Sequence, residues 1–143
     1  MRFWDSSAIV PLTVVEATSA ALRALLVQDP EIVVWWSTEI ECLSALARRE
    51  REENLSSDEL AAAATDLAAF AAHWQEVAPT RDVRETAKRL LRLHPLGAAD
   101  ALQLAAALTV AESDPSSIGF VTLDVRLRDA ASRHGFTVTV PAG

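Results

Sequence analysis

The stretch that most constrains this chain is Leu96 to Leu108, LGAADALQLAAAL. Ala and Leu are the strongest helix formers, and Pro95 stands just before them, where a missing N–H costs nothing. On a 3.6-residue period Leu96, Ala99, Leu104, Ala107, Leu108 and Ala111 share one face, and Asp100 falls on that same face. An aspartate so placed points toward the interior rather than to water. A buried carboxylate costs several kcal/mol unless it is paired or bound to a metal, so Asp100 needs a partner. The plain alternative is a first-turn acid that answers the helix dipole. What the rest of the chain offers Asp100 decides between the two.

The neighbouring segments alternate between strand and helix signals. Arg2 to Asp5 reads as a strand, followed by a short helix from Ala8 to Val14 that Ser6 or Ser7 would cap. A second helix, capped by Thr18 or Ser19, runs to about Gln28 and is broken by Asp29-Pro30. Glu31 to Trp36 is β-branched and aromatic, a buried strand. Ser37 and Thr38 start a helix to about Asn54, and Ser56 with Glu59 makes a capping box for a helix to about Trp74. Glu76 to Ala78 follows as a short strand, and Thr80 caps a basic helix from Arg81 to Leu93. After the central helix come a strand from Ile118 to Leu123, a helix from Val125 to His134 with Gly135 as its C-cap, and a last strand from Phe136 to Val140. The pattern predicts an α/β fold: one domain over residues 1–143, with a central, mostly parallel sheet of about five strands flanked by helices.

Composition narrows the function classes. No apolar run reaches the roughly 20 residues of a membrane span, and MRFWDSS carries no signal-peptide core, so a cytoplasmic protein is expected. A lone cysteine, Cys42, makes no internal disulfide and lies in an apolar helical pattern, as a buried thiol in a reducing compartment would. With one Cys and three scattered His, a zinc site is not expected. Thirteen basic and twenty acidic side chains leave a formal charge of −7, which argues against an unassisted grip on a nucleic-acid backbone. A local basic patch or a metal can still reverse the sign of one cleft. The charge run Arg48 to Glu53 reads most simply as the solvated end of a helix.

The acids themselves point to an edge. Asp5 and Asp124 both end predicted parallel strands, the edge where open α/β sheets bind ligands. Asp100 opens the helix that leads into the Asp124 strand, and the helix from Thr38 begins at the same edge with Glu39 and Glu41. Each acid also has a structural reading. Asp5 and Asp124 can be N-caps, Glu41 the fourth member of a Thr38-x-x-Glu41 capping box, and Glu39 a first-turn surface acid. Converging carboxylates repel by roughly 3 kcal/mol per pair at about 5 Å and an effective dielectric near 20. Such a cluster stays partly protonated or holds a cation, and all-oxygen ligands favour Mg²⁺ or Mn²⁺.

Four blocks, WDSSAIVPL, STEIECLSAL, HPLGAADALQLAAAL and FVTLDVRLRDAASRHGFTV, occur in an order and spacing that span essentially the whole chain. They resemble the PIN-domain family, specifically the VapC-type toxins of bacterial toxin–antitoxin pairs. The resemblance implies a Mg²⁺- or Mn²⁺-dependent endoribonuclease, the toxin of a type II pair. Its catalytic acids would be Asp5, Glu41, Asp100 and Asp124, with Asp5, Asp100 and Asp124 holding the metal. Ser6 and Thr122 stand at the family's small hydroxyl positions and would hold metal-bound water. Arg126 matches a commonly basic position that would face phosphate, with a surface role as its alternative. The position three beyond the third acid, often His in similar toxins, is Gln103 here, a departure that bears on substrate handling.

The resemblance also implies a homodimer, a VapB-type antitoxin partner, a heterotetramer or larger assembly with it, and RNA as substrate. The apolar helices from Ala8 to Leu26 and around Leu43 to Ala47 are candidate surfaces for those partners, with core packing the plainer reading for most of their residues. Candidate phosphate contacts are Arg48, Arg49, Arg81, Arg84, Lys88, Arg89 and Arg92. A catalytically silent PIN-like RNA- or protein-binding module is the alternative, against which the complete acid set argues. A receiver-like phosphoryl acceptor would need an acid pair near the first strand and a late lysine. Here only Asp5 stands at that strand, and the only lysine is Lys88.

Overall fold

A computed structural model describes residues 1–139. Five strands, β1 (Arg2–Trp4), β2 (Ile32–Trp35), β3 (Gln75–Val77), β4 (Gly119–Val121) and β5 (Thr137–Thr139), form one sheet. Its order is β3-β2-β1-β4-β5, and every pair is parallel. The α-helices are α1 (Ser6–Thr13), α2 (Ser19–Gln28), α3 (Thr38–Arg51), α4 (Ser57–Ala71), α5 (Arg81–Leu93), α6 (Ala98–Ala111) and α7 (Val125–Arg133).

The strands are three or four residues long, and the central three, β1, β2 and β4, are buried on both faces, so their side chains divide by parity. Phe3, Val33, Trp35 and Phe120 join α5, α6 and α7 in one core. Trp4, Ile32, Val34 and Val121 join α1, α2, α3 and α4 in the other. The order in which strands are added reverses at β1: β2 lies on one side of it and β4 on the other. The connections leaving β1 and β4 therefore part, and a crevice opens at the carboxyl ends of those two strands.

Several expected boundaries shift. Asp5, not Ser6 or Ser7, caps α1, because the chain turns helical directly after β1 and the Asp5 carboxylate accepts from the Ser7 N–H. α3 stops at Arg51 and α4 at Ala71, a turn short of the expected ends. The Ser56–Glu59 capping box forms with both of its hydrogen bonds. Thr80 caps α5 as expected. Gly135 follows α7 at φ +97°, a conformation that favours a residue without Cβ. The expected last strand runs to Val140, which lies outside the described residues.

The central helix is not one-sided. It begins at Ala98, three residues after Pro95, and Ala101 and Gln103 to Ala107 are all buried, whereas Ala99 is exposed. Sandwiched between the sheet and α5, α6 is apolar almost all round, so an amphipathic face was the wrong description of it. Among the described residues no helix is long and apolar enough to cross a membrane.

Candidate active site

Asp5, Glu41, Asp100 and Asp124 line one cavity of about 980 Å³ at the crevice between β1 and β4. Four separate elements deliver them: the ends of β1 and β4 and the first turns of α3 and α6. Asp100 does not point into the core. It is half-buried and faces this cavity from the N-terminus of α6.

Asp5 is the most enclosed acid, only 2% exposed. Its Oδ2 accepts from Ser7 Oγ at 2.5 Å and Thr122 Oγ1 at 2.9 Å, and the Asp5 N–H donates to Val121 O at 3.0 Å, tying β1 to β4. Burial pushes its carboxyl pKa up, and the Glu41 charge adds to this against the lowering effect of the two hydroxyls. Thr122 Oγ1 also accepts from the Asp124 N–H at 3.0 Å, so one buried hydroxyl links two acids. Asp124 caps α7, its Oδ1 accepting from the Leu127 N–H at 2.8 Å.

Glu41 is held by side chains from three elements. Ser37 Oγ donates to Oε2 at 2.5 Å, Ser6 Oγ donates to Oε1 at 3.2 Å, and Gln103 Nε2 reaches Oε1 at 3.2 Å and Oε2 at 3.3 Å. The Thr38-x-x-Glu41 capping box does not form, because α3 starts at Thr38 and its capping residue is Ser37. Gln103 is fully buried. Its Nε2 also donates to Thr38 Oγ1 at 3.1 Å, while its Oε1 has no hydrogen-bond partner among the described residues. The opposite amide orientation would set that oxygen against the Glu41 carboxylate, so the donor assignment is the sound one.

Asp100 carries the clearest electrostatic mark. Burial, followed by the charges of Asp5, Asp124 and Glu41, pushes its pKa up to about 6. Beneath the floor Cys42 is fully buried, its Sγ 3.8 Å from the Ser6 carbonyl oxygen, and burial together with the nearby acids pushes the thiol far above its ordinary range. That makes it an inert core thiol.

Among the described residues no three acidic, His or Cys side chains stand in a ready-made ligand cage. The donor set nonetheless fits a hard divalent cation. Carboxylates and hydroxyls line the cavity, His and Cys do not, and burial together with the charges of Asp5, Asp124 and Glu41 raises Asp100.

The other expected residues divide. Ser6 lies on the cavity wall between Asp5 and Glu41, and Thr122 lies buried beneath it, both holding acids. Arg126 is exposed and does not line the cavity, and neither Glu39 nor the cations of α5 do so. Arg48 and Arg49 do line it, so the Arg48–Glu53 run is not simply a solvated helix end. Arg49 pairs back with Glu16 of the α1–α2 connection. Sequence reasoning missed Ser7, whose Oγ accepts from the Leu123 N–H at 2.9 Å besides donating to Asp5. The doubled serine after Asp5 was the available signal. Within the Ala8–Leu26 stretch, Ala8, Ile9, Val10, Leu12 and Leu22 are core residues, the plainer of the two readings of that stretch.

The PIN domain family model matches residues 2–132. The protein named Ribonuclease VapC45, from Mycobacterium tuberculosis, is 35% identical over 95% of this chain and 92% of its own length. Among solved structures, M. tuberculosis VapC20, described as a sarcin-ricin loop cleaving toxin, superposes with a TM-score of 0.69 at 21% identity, covering 99% of this chain and 100% of that one. A toxin–antitoxin complex from Klebsiella pneumoniae gives a TM-score of 0.62 at 15% identity, over 99% of this chain and 98% of that one. At such identities the two structures speak for the fold alone.

Proposed function

The chain belongs to the PIN-domain family and, within it, to the VapC ribonucleases, and on that premise we propose that residues 1–143 form a single catalytic domain that hydrolyses RNA at the four-carboxylate cleft. It is an endoribonuclease, the toxin of a type II toxin–antitoxin pair. The observation that carries the site assignment is the convergence of Asp5, Glu41, Asp100 and Asp124 on one cavity from four separate elements.

Asp5, Asp100 and Asp124 would hold the divalent cation, Mg²⁺ or Mn²⁺, with the Ser7 and Thr122 hydroxyls fixing the Asp5 carboxylate. When bound, such a cation supplies Lewis-acid stabilisation of the charge on the transferring phosphate and lowers the pKa of a water molecule. Glu41, oriented by Ser37, Ser6 and Gln103, positions the attacking water and takes its proton. In-line attack at phosphorus forms the new P–O bond and breaks the bond to the 3′ oxygen. The products are a 5′-phosphate and a 3′-hydroxyl.

A VapB-type antitoxin is the partner in this reading, with a toxin homodimer as the core of a heterotetramer or larger assembly, in the cytoplasm. A second, mainly apolar cavity of about 590 Å³, lined by Leu12, Leu26, Ile32, Phe70 and Trp74, supports a partner segment on the α1–α2–α4 side. The test is cleavage of total bacterial RNA by wild type beside Asp100→Asn, with Mg²⁺, Mn²⁺ or EDTA. Discrete products that need metal and vanish in the variant are expected. Equal products from both would overturn the site. An absence of both products and Mn²⁺ binding would leave a silent PIN-like binding module.

A further inference from the structure

An RNase of net charge −7 with an acidic centre repels the polyanion it cuts, so a cation has to meet the RNA beside the acids. Eight basic side chains are candidates from sequence, Arg126 and the seven of α3 and α5, and the cavity selects among them. Only α3 contributes arginines to its wall. Glu41, Ser44, Ala45 and Arg48 recur at i, i+3, i+4 and i+7, so they form one continuous stripe along the helix facing the cleft. Arg49 spends its charge on Glu16. Arg48 is exposed and, among the described residues, has no ion-pair partner.

Building on the ribonuclease reading, we propose that Arg48, with Ser44 one turn before it, forms an RNA-phosphate subsite on the α3 wall, separate from the scissile position. The helical rise puts Arg48 about 10 Å along the axis from Glu41. That offset suits a neighbouring phosphate on the same strand. A guanidinium offers forked donors to two phosphate oxygens, and Ser44 adds a hydroxyl. The Glu16–Arg49 pair flanks this subsite and holds a second cation in reserve. The contact is to the backbone, so it sets the register of the strand and is indifferent to base identity.

The test is fluorescence anisotropy of a 5′-fluorescein-labelled single-stranded oligouridylate with the full chain in EDTA, over a salt series. Arg48→Ala is expected to weaken binding roughly fivefold and to flatten the log K against log salt slope by about 0.7, the signature of one lost phosphate contact. Glu16→Gln, which frees Arg49, is expected to tighten binding roughly twofold or more. Lys88→Ala, on the far helix, is expected to change neither. Unchanged affinity and slope for Arg48→Ala, or no binding by wild type, overturns the subsite. If wild type still cleaves total RNA in a metal-dependent way, that failure leaves the ribonuclease reading intact. A wild type that cleaves nothing and binds no Mn²⁺ overturns that reading instead.

Discussion

Replacing Asp100 by Asn should stabilise the metal-free protein while abolishing its cleavage. The pKa of Asp100 rises from the ordinary 3.8 to about 6 through burial and the charges of Asp5, Asp124 and Glu41. At 1.36 kcal/mol per pH unit, that rise disfavours the ionised folded form by at most about 3 kcal/mol. The carboxylate is half-exposed, and solvent screening reduces the cost to roughly 1–2 kcal/mol. The sign follows from linkage. Between pH 3.8 and about 6 the folded state holds a proton that the unfolded state has lost, so this contribution to stability falls as pH rises through that window. Below it both states are protonated, and Asn, a near-isostere of the neutral acid, changes little. Above it the wild type carries the full penalty and Asn carries none. Thermal melts in EDTA at pH 7.5 should place Asp100→Asn roughly 3–8 °C above wild type, with the gap closing near pH 4. Adding Mn²⁺ should raise the wild-type melting temperature more than the variant's, because the ion offsets the same repulsion. A variant no more stable than wild type at pH 7.5, or one whose gain is equal at pH 4, would refute the electrostatic account.

Five further substitutions, at Gln103, Ser7, Ser6 and Asp124, probe how the acids are held. Gln103→Leu removes the amide that reaches both oxygens of Glu41 and, with it, the unpartnered Oε1; kcat should fall about tenfold with KM and Mn²⁺ affinity nearly unchanged, and the fold within about 1 kcal/mol of wild type. Ser7→Ala breaks the hydroxyl contacts to Asp5 and to the Leu123 N–H. It should cost about 1–2 kcal/mol in denaturant melts, more than Ser6→Ala, whose hydroxyl is bound to carboxylates alone. Asp124→Asn keeps a side-chain oxygen for the α7 cap and should lose cleavage at nearly full stability, whereas Asp124→Ala should lose both, with about 1 kcal/mol of stability. Parallel melts and cleavage assays separate the two.

Secondary structure was legible wherever a local rule sufficed. The Ser56–Glu59 box, the Thr80 cap and the Gly135 stop each depend on residues within one turn, and each lies where the pattern puts it. The placing of Asp5, Asp124 and Glu41 at one sheet edge was legible too, because parallel strands that end in acids bring their ends together. The two-sided burial of α6 was not. An Ala-rich helix has little contrast between faces, and only the stacking of α5 on one side and the sheet on the other removes both from water. The contacts of Ser7 with the Leu123 N–H and of Gln103 with Glu41 were also out of reach, since each spans more than sixty residues, and sequence could name Arg48 only as one basic candidate among several. The resemblance to VapC toxins pointed to Ser6 at the hydroxyl position. The packing gives the shorter contact with Asp5 to Ser7, because the first turn of α1 swings its Oγ beneath the carboxylate.

The two readings of each acid, helix cap or cleft carboxylate, turn out not to compete. Asp5 caps α1 and Asp124 caps α7, and both line the cavity. In Asp124 the cap engages Oδ1, and in Asp5 the close contacts all fall on Oδ2, so each carboxylate keeps an oxygen for the cleft. A cap also sets that carboxylate at the positive end of a helix, which lowers the cost of gathering negative charge at the crevice. Asp100, in the first turn of α6, draws on the same field without a cap hydrogen bond of its own. It is the half-buried acid whose pKa rises to about 6, through burial first and then the charges of Asp5, Asp124 and Glu41. Such a site is built at the cost of the fold that carries it, and a bound cation would return that stability when the cleft is ready to act.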